Sequence, residues 1–382
     1  MSQGKANLVV DLGNSATRLY TIYGKDDTGN LRGELHMLDN HFAVLEDDYI
    51  IPDEYDPSNS RVFRQGLTRL CVGDLCRREF GALSDYRPSA VEKKYSSVVS
   101  EMSMRNAFLQ GYIDVSRMTG IPMDKLDIEW DVSLLLPPMD LEVGAEILAK
   151  KVREIHEIDF SMPIFRKEIN IKEIRLYSEG FCAYFGVVLD SNKRVRPEYM
   201  HVKDMTTIII DIGAGTTDLI IVEKGKPVNS SKNSVALGGN NVHQRVRGML
   251  AKKGFDMTDD AVREATEVGY IMDGNKRVSI RNEIASAKDF VSRMIVASIR
   301  DFFERTSYPA RGIQYMLVCG GGAIDSIEGV SPMSVYVNRY MKRIAPNIEN
   351  LEIPTTFVNG REEQISPRLL NVIGAGIVSY RD

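Results

Sequence analysis

Asp11, Gly13, Thr17 and Leu19 recur in type as Asp211, Gly213, Thr217 and Leu219, 200 residues further along the chain. The first set lies in Asp11-Leu12-Gly13-Asn14-Ser15-Ala16-Thr17-Arg18, the second in Asp211-Ile212-Gly213-Ala214-Gly215-Thr216-Thr217-Asp218. Apolar runs flank both: Leu8-Val9-Val10 and Ile208-Ile209-Ile210 before, Leu19 to Tyr23 and Leu219 to Val222 after. One Asp-x-Gly after a strand is usually only a hairpin turn. Two copies with hydroxyls at matching offsets point to chemistry. A turn rich in Gly, Ser and Asn lets the backbone approach an anion and aim several N–H groups at it. Ser15, Thr17, Thr216 and Thr217 add hydroxyl donors, and Arg18 adds a cation suited to bidentate phosphate contact. Asp11 and Asp211 end apolar strands, where an unpaired carboxylate is costly. A hydrated Mg²⁺ relieves that cost, since it needs only one or two carboxylates besides phosphate oxygens. Two such turns facing one another would grip one polyphosphate, which makes the chain a candidate for handling nucleotides.

The elements that position these residues repeat as well. Residues 7–24 and 206–224 read as hairpins. Residues 61–80 read as short strands around Gly73-Asp74, and 92–119 carries helical spacing of apolar residues. Ile128 to Leu136 is a strand stopped by Pro137-Pro138, followed by a helix from Leu141 to Ile155 and a strand from Ile169 to Tyr177. Ser178 is expected to cap a helix running through Leu189. The small residues Gly180, Ala183 and Gly186 in that stretch permit close packing, and Asn371 to Ile377 shares their character. After the second hairpin come Leu237-Gly238-Gly239-Asn240-Asn241 with a helix to about Ala251. Helices follow at 259–269 and 283–306, then a buried strand from Tyr315 that runs into Gly320-Gly321-Gly322-Ala323.

Composition narrows the possibilities. The 382 residues are 43% hydrophobic and 26% charged, a balance typical of soluble globular proteins of about two domains. No apolar run approaches the roughly 18 residues of a membrane span. Met1 to Lys5 does not open a secretion signal. A net charge of −5 argues against direct binding of nucleic acid. Four dispersed cysteines and five dispersed histidines offer no metal cluster, and the thiols are expected reduced, in a cytoplasmic setting. The acidic stretch 46–56 could be a partner surface or filament contact, but a solvated loop is the commoner reading. So it is for the basic pairs Lys93-Lys94, Lys150-Lys151 and Lys342-Arg343.

Five segments in this order resemble the signature of the actin, sugar kinase and Hsp70 superfamily. They are Asp11 to Arg18, 177–190, Asp211 to Asp218, Leu317 to Ala323, and 371–380. The Asp-Leu-Gly-Asn-Ser opening is most similar to the bacterial plasmid-segregation proteins of the ParM/StbA type. The resemblance implies an α/β, actin-like fold: two RNase H-like domains with mixed five-stranded sheets flanked by helices and a nucleotide cleft between them. The domains would be 1–180, with an insert at about 36–105, and 181–370, with an insert at about 237–312. Residues 371–382 would be a helix returning to the first.

It further implies ATP, or GTP, with Mg²⁺ organised mainly through water by Asp11 and Asp211. Gly13, Asn14, Ser15, Thr17, Arg18, Gly213, Ala214, Gly215, Thr216 and Thr217 would hold the phosphates. Gly320, Gly321 and Gly322 would pass against ribose and base. Glu179 would position the attacking water, its alternative role being an acid that favours a helix dipole. Glu264, with Glu267, lies where relatives place a ribose or adenine contact, although a solvated helix face explains such carboxylates too. Self-association into filaments and a small DNA-binding adaptor protein are the implied partners, with no membrane. A small-molecule kinase would need an acceptor site with a poised base, for which residues 127–140 offer no clear candidate. A chaperone-like ATPase would need a peptide-binding domain beyond Asp382. A membrane-tethered relative would need a terminal amphipathic anchor.

Overall fold

The structure, a computed structural model, describes residues 3–13, 16–56, 60–80, 93–324, 327–358 and 361–381. The chain forms two compact units: Met1–Arg194 with Thr355–Gln364 and Asn371–Asp382, and Val195–Pro354 with Ile365–Leu370.

In the first unit, strands Gln3–Leu12 and Ala16–Lys25 make the expected hairpin, and Leu31–Asp39 extends it antiparallel. On the other side of Gln3–Leu12, strands Asp127–Leu136 and Asn170–Ser178 add in parallel, giving a mixed five-stranded sheet. The helix Val98–Thr119 covers it. Ser97 caps that helix by accepting the Val99 amide, and Gly120 ends it in a left-handed conformation. Fully buried Trp130 meets the rings of Phe108 and Tyr112 edge-on at 6.0 and 5.4 Å, and such pairs add about 1 kcal/mol each beyond area burial.

A smaller five-stranded sheet joins Phe42–Leu45, Thr68–Gly73, Ser60–Gln65, Glu157–Met162 and Ile164–Glu168. Buried Arg61 ties it to the long helix, donating to Asn106 Oδ1 at 2.6 Å and to Gln110 Oε1. Burial holds this guanidinium down to about 10, against the opposing pull of Asp114. Strands are not the whole of 61–80, because Asp74–Phe80 is helical. Adjacent Leu75 and Cys76 are both buried while 77–79 are exposed, a pattern that alternation along a strand cannot produce.

The second unit repeats the plan. Thr206–Ile212 and Thr217–Glu223 form its hairpin, with Tyr315–Cys319 and then Glu349–Asn350 added in parallel. Helices Gly239–Ala251, Arg281–Thr306 and Met333–Ile344 supply much of its core, and Asp259–Val268 is helical as expected. The last helix, Leu370–Ser379, packs its glycines in the first unit. Among the described residues no helix is long and apolar enough to cross a membrane.

Candidate functional site

The first hairpin pairs Asp11 with Arg18 and Leu12 with Thr17, with Gly13 following the first strand. Asn14 and Ser15 lie outside the described residues. Asp11 is 1% exposed, and its Oδ2 accepts from Arg18 Nη1 at 3.0 Å. Its Oδ1 is buried and finds no donor among the described residues. The Thr17 hydroxyl is turned inward, donating to Asn40 Oδ1 at 2.7 Å, while Asn40 Nδ2 donates to the Gly13 carbonyl at 2.6 Å. Buried Asn40 therefore braces the loop from behind. Nothing in the local sequence marks it, since only the return of the Leu31–Asp39 strand brings it there.

The second hairpin has the same register: Asp211 opposite Asp218, Ile212 opposite Thr217, and a half-buried loop at 213–216. Its bracing is equivalent. Thr217 Oγ1 donates to the Leu237 carbonyl at 2.7 Å, and the amides of Gly239 and Asn240 donate to the carbonyls of Gly213 and Ala214 at 3.0 and 2.7 Å. Thr17 and Thr217 thus do the same work in both copies, fixing loop shape from inside. Gly320–Gly322 closes on this loop from the neighbouring strand. Gly320 has φ +89°, and a Cβ there would lie 2.3 Å from Asp211 Oδ1. A side chain at 320 would therefore be both strained and blocked. The two copies differ in charge at one point: Asp218 stands where Arg18 stands in the first. Residues directly opposite in an antiparallel pair share a face, so Asp211 and Asp218 present two largely buried carboxylates there.

Glu179 follows the strand Asn170–Ser178, and its amide donates to the Leu136 carbonyl at 2.8 Å. Asp11 pairs with Leu135 on that same central strand, so Asp11 and Glu179 lie two strands apart, on the order of 10 Å, at the same edge of the sheet. Burial chiefly, and then the charges of Glu179 and Asp11, push the Cys182 thiol far above its usual range. Ser178 does not cap the next helix. It is the last residue of its strand, and the helix Phe181–Val188 starts after Gly180, which has φ 72° and ψ −54°. The Phe181 amide donates back to the Glu179 carbonyl at 2.8 Å, closing a γ-turn that glycine adopts without a Cβ penalty. Asn371 Oδ1 accepts the Gly180 amide at 2.8 Å.

The 6% exposed Glu179 accepts from Lys94 Nζ at 2.9 Å. A solvated face is the wrong reading for Lys94, although Lys93 beside it, 54% exposed, does reach solvent. Glu264 and Glu267 are exposed on the helix Asp259–Val268, as a solvated face would have them. Among the described residues no cluster of three or more metal-ligating side chains occurs.

Residues 209–328 match the family described as archaeal actin homologue MreB-like, C-terminal. The whole fold is similar to the actin-like protein Alp7A, at 16% identity over 99% of this chain and 96% of that one, with a TM-score of 0.68. It is similar to ParM in a 15-stranded filament from Clostridium botulinum, at 15% identity over 98% and 99% of the two chains, TM-score 0.67. It is also similar to the archaeal actin homologue Ta0583, at 13% identity over 98% of both chains, TM-score 0.66. The fold is that of the actin homologues. Ta0583 has also been solved in complex with ADP. A comparison of the sequence with curated proteins finds no match.

Proposed function

We propose that this actin-like chain is a nucleotide-dependent, filament-forming phosphohydrolase that binds one purine nucleoside triphosphate with both hairpin loops. The observation that carries the reading is the pair of loops at a 200-residue offset, with identical register and the same internal threonine brace. Preorganised loops of this kind direct amides and hydroxyls at phosphate without reorganising during reaction. In the first loop Gly13, Asn14 and Ser15 would serve, with Arg18 supplying charge. In the second the donors would come from Ala214, Gly215 and Thr216. Gly320 to Gly322 would admit the ribose and base.

The residues fit Mg²⁺. Among the described residues Asp11 offers a buried oxygen with no donor, and Asp211 and Asp218 face each other across their strand pair. Asp11 and Asp211 would hold the ion through its waters, and the ion would neutralise phosphate charge. Glu179 would accept a hydrogen bond from the attacking water and orient it, with Lys94 fixing the carboxylate. Phosphoryl transfer asks mostly for such positioning and charge neutralisation.

ParM in a 15-stranded filament among the structural neighbours supports polymerisation as the output, and plasmid segregation through a DNA-binding adaptor is the cellular task that the resemblance in sequence motifs implies. Light scattering and pelleting with ATP, GTP, ADP or no nucleotide test this. Assembly is expected with a triphosphate, followed by phosphate release. Glu179→Ala should still assemble but release phosphate about 10²- to 10⁴-fold more slowly. Unchanged release would remove Glu179 from the mechanism, and a chain that stays dispersed throughout would rule out polymerisation.

A further inference from the structure

Two helices of the second unit carry no acidic residue in a chain of net charge −5. Gly239–Ala251 bears Arg245 and Arg247, and Met333–Ile344 bears Arg339, Lys342 and Arg343. Their arginines are joined through the intervening helix Arg281–Thr306. Arg245 stacks 3.6 Å from the centre of the Phe290 ring, and Arg293 lies 5.4 Å from the same ring. Asp289, next to Phe290, accepts the Tyr340 hydroxyl at 2.9 Å and sits 3.7 Å from Arg339. Arg343 in turn lies 5.1 Å from the Tyr340 ring. Four exposed guanidiniums thus line contacts that meet at the adjacent residues Asp289 and Phe290, and among the described residues Asp289 is the one carboxylate in these contacts. Met294, 41% exposed, lies on the intervening helix, and Val335, 46% exposed, on Met333–Ile344. Arginine, aromatic and methionine side chains without Glu are the composition of protein interfaces, whereas solvated faces favour Lys and Glu. Stacking on rings also restrains the guanidiniums, so less side-chain entropy is lost on docking.

The first unit holds a complementary surface. Residues 46–56 expose Glu46, Asp47, Asp48, Asp53, Glu54 and Asp56 around Ile50, itself 86% exposed. This loop has a fixed shape, because Arg69 Nη1 donates to the carbonyls of Glu46, Asp47 and Tyr49 at 3.2, 2.8 and 3.3 Å. We infer that the acidic 46–56 loop of one copy docks on the arginine–aromatic face of the next. The inference rests on the filament reading and names its contact. The two surfaces are different, so the contact is head to tail and open-ended, as a filament requires. A nucleic acid suits this face less well, since a phosphate backbone would meet the negative charge of the rest of the chain.

Charge reversal tests it in the full chain. One variant carries Arg339→Glu with Arg343→Glu, the other Asp47→Lys with Asp48→Lys. None of the four positions belongs to the proposed nucleotide loops. Each variant alone should raise the critical concentration for nucleotide-dependent pelleting about a hundredfold, since like-charge juxtaposition costs several kcal/mol. An equal mixture should assemble again, because each reversed surface then finds its opposite on the other variant. Assembly of either variant at the wild-type concentration overturns the contact, as does a mixture that stays dispersed while circular dichroism shows both variants folded. Wild-type protein that never assembles removes instead the filament reading on which the contact rests.

Discussion

At the scale of single residues, Glu179 is the position on which hydrolysis is proposed to turn, and its surroundings are specified by two residues of different legibility. Gly180 was visible in the sequence as a small residue, though not as the centre of a γ-turn. Lys94 was visible only as half of a basic pair. It stands 85 positions from Glu179 and beside another lysine, and a basic pair has no local mark that distinguishes a buried member from a solvated one. Its effect is nevertheless definite. An opposite charge 2.9 Å from a carboxylate that is 6% exposed stabilises the ionised form and fixes its direction. Lys94→Met should therefore lower kcat for triphosphate hydrolysis by about tenfold or more with little change in KM, because orientation acts on the chemical step. Loss of the cation also disfavours ionised Glu179, so the acid limb of the pH–rate profile should move to higher pH. Lys94→Arg should restore most of both. A Lys94→Met enzyme with an unaltered pH profile would reduce the pair to a structural contact.

At the scale of elements, the sequence revealed most of the strands and helices because periodicity and turn residues act locally. It missed what depends on contact between distant segments. The helix Asp74–Phe80 is one case, since its neighbours decide which residues are buried. Asn40 is another, a brace supplied by a strand end that carries no motif. The glycine-rich character of Asn371 to Ile377 was legible, and its reason lies in a helix crossing within the first unit. A Cβ on Gly374 would sit 1.8 Å from the Cys182 carbonyl oxygen and 2.7 Å from the Gly186 amide nitrogen. Gly374→Ala gains about 1 kcal/mol of helix propensity. Overpacking against backbone that cannot swing aside costs about 1–3 kcal/mol or more. The second effect should win, and chemical denaturation should show a net loss of about 1–2 kcal/mol. A gain in stability would mean that the two helices are not in contact.

At the scale of the whole molecule, the duplicated hairpin is balanced differently in its two copies. The first carries its own cation, since Arg18 sits 3.0 Å from Asp11. The second opposes Asp211 to Asp218 and has no basic residue in its loop. The proposed triphosphate would bring further negative charge to a second loop that has no basic residue of its own. Magnesium is thus expected to be required for nucleotide to bind at all, rather than only for turnover. At a ligand concentration a hundredfold above Kd, binding to the folded state alone stabilises by about 2.7 kcal/mol. For domains of this size that corresponds to a rise in Tm of about 5–10 °C at 2–4 °C per kcal/mol. Triphosphate with magnesium should therefore raise the melting temperature by several degrees, and the same nucleotide with EDTA should leave it near that of the free protein. Asp211→Ala should abolish the magnesium-dependent rise while the chain still folds. Equal protection with and without the metal would show that the carboxylates at 11 and 211 serve the fold and not a bound ion.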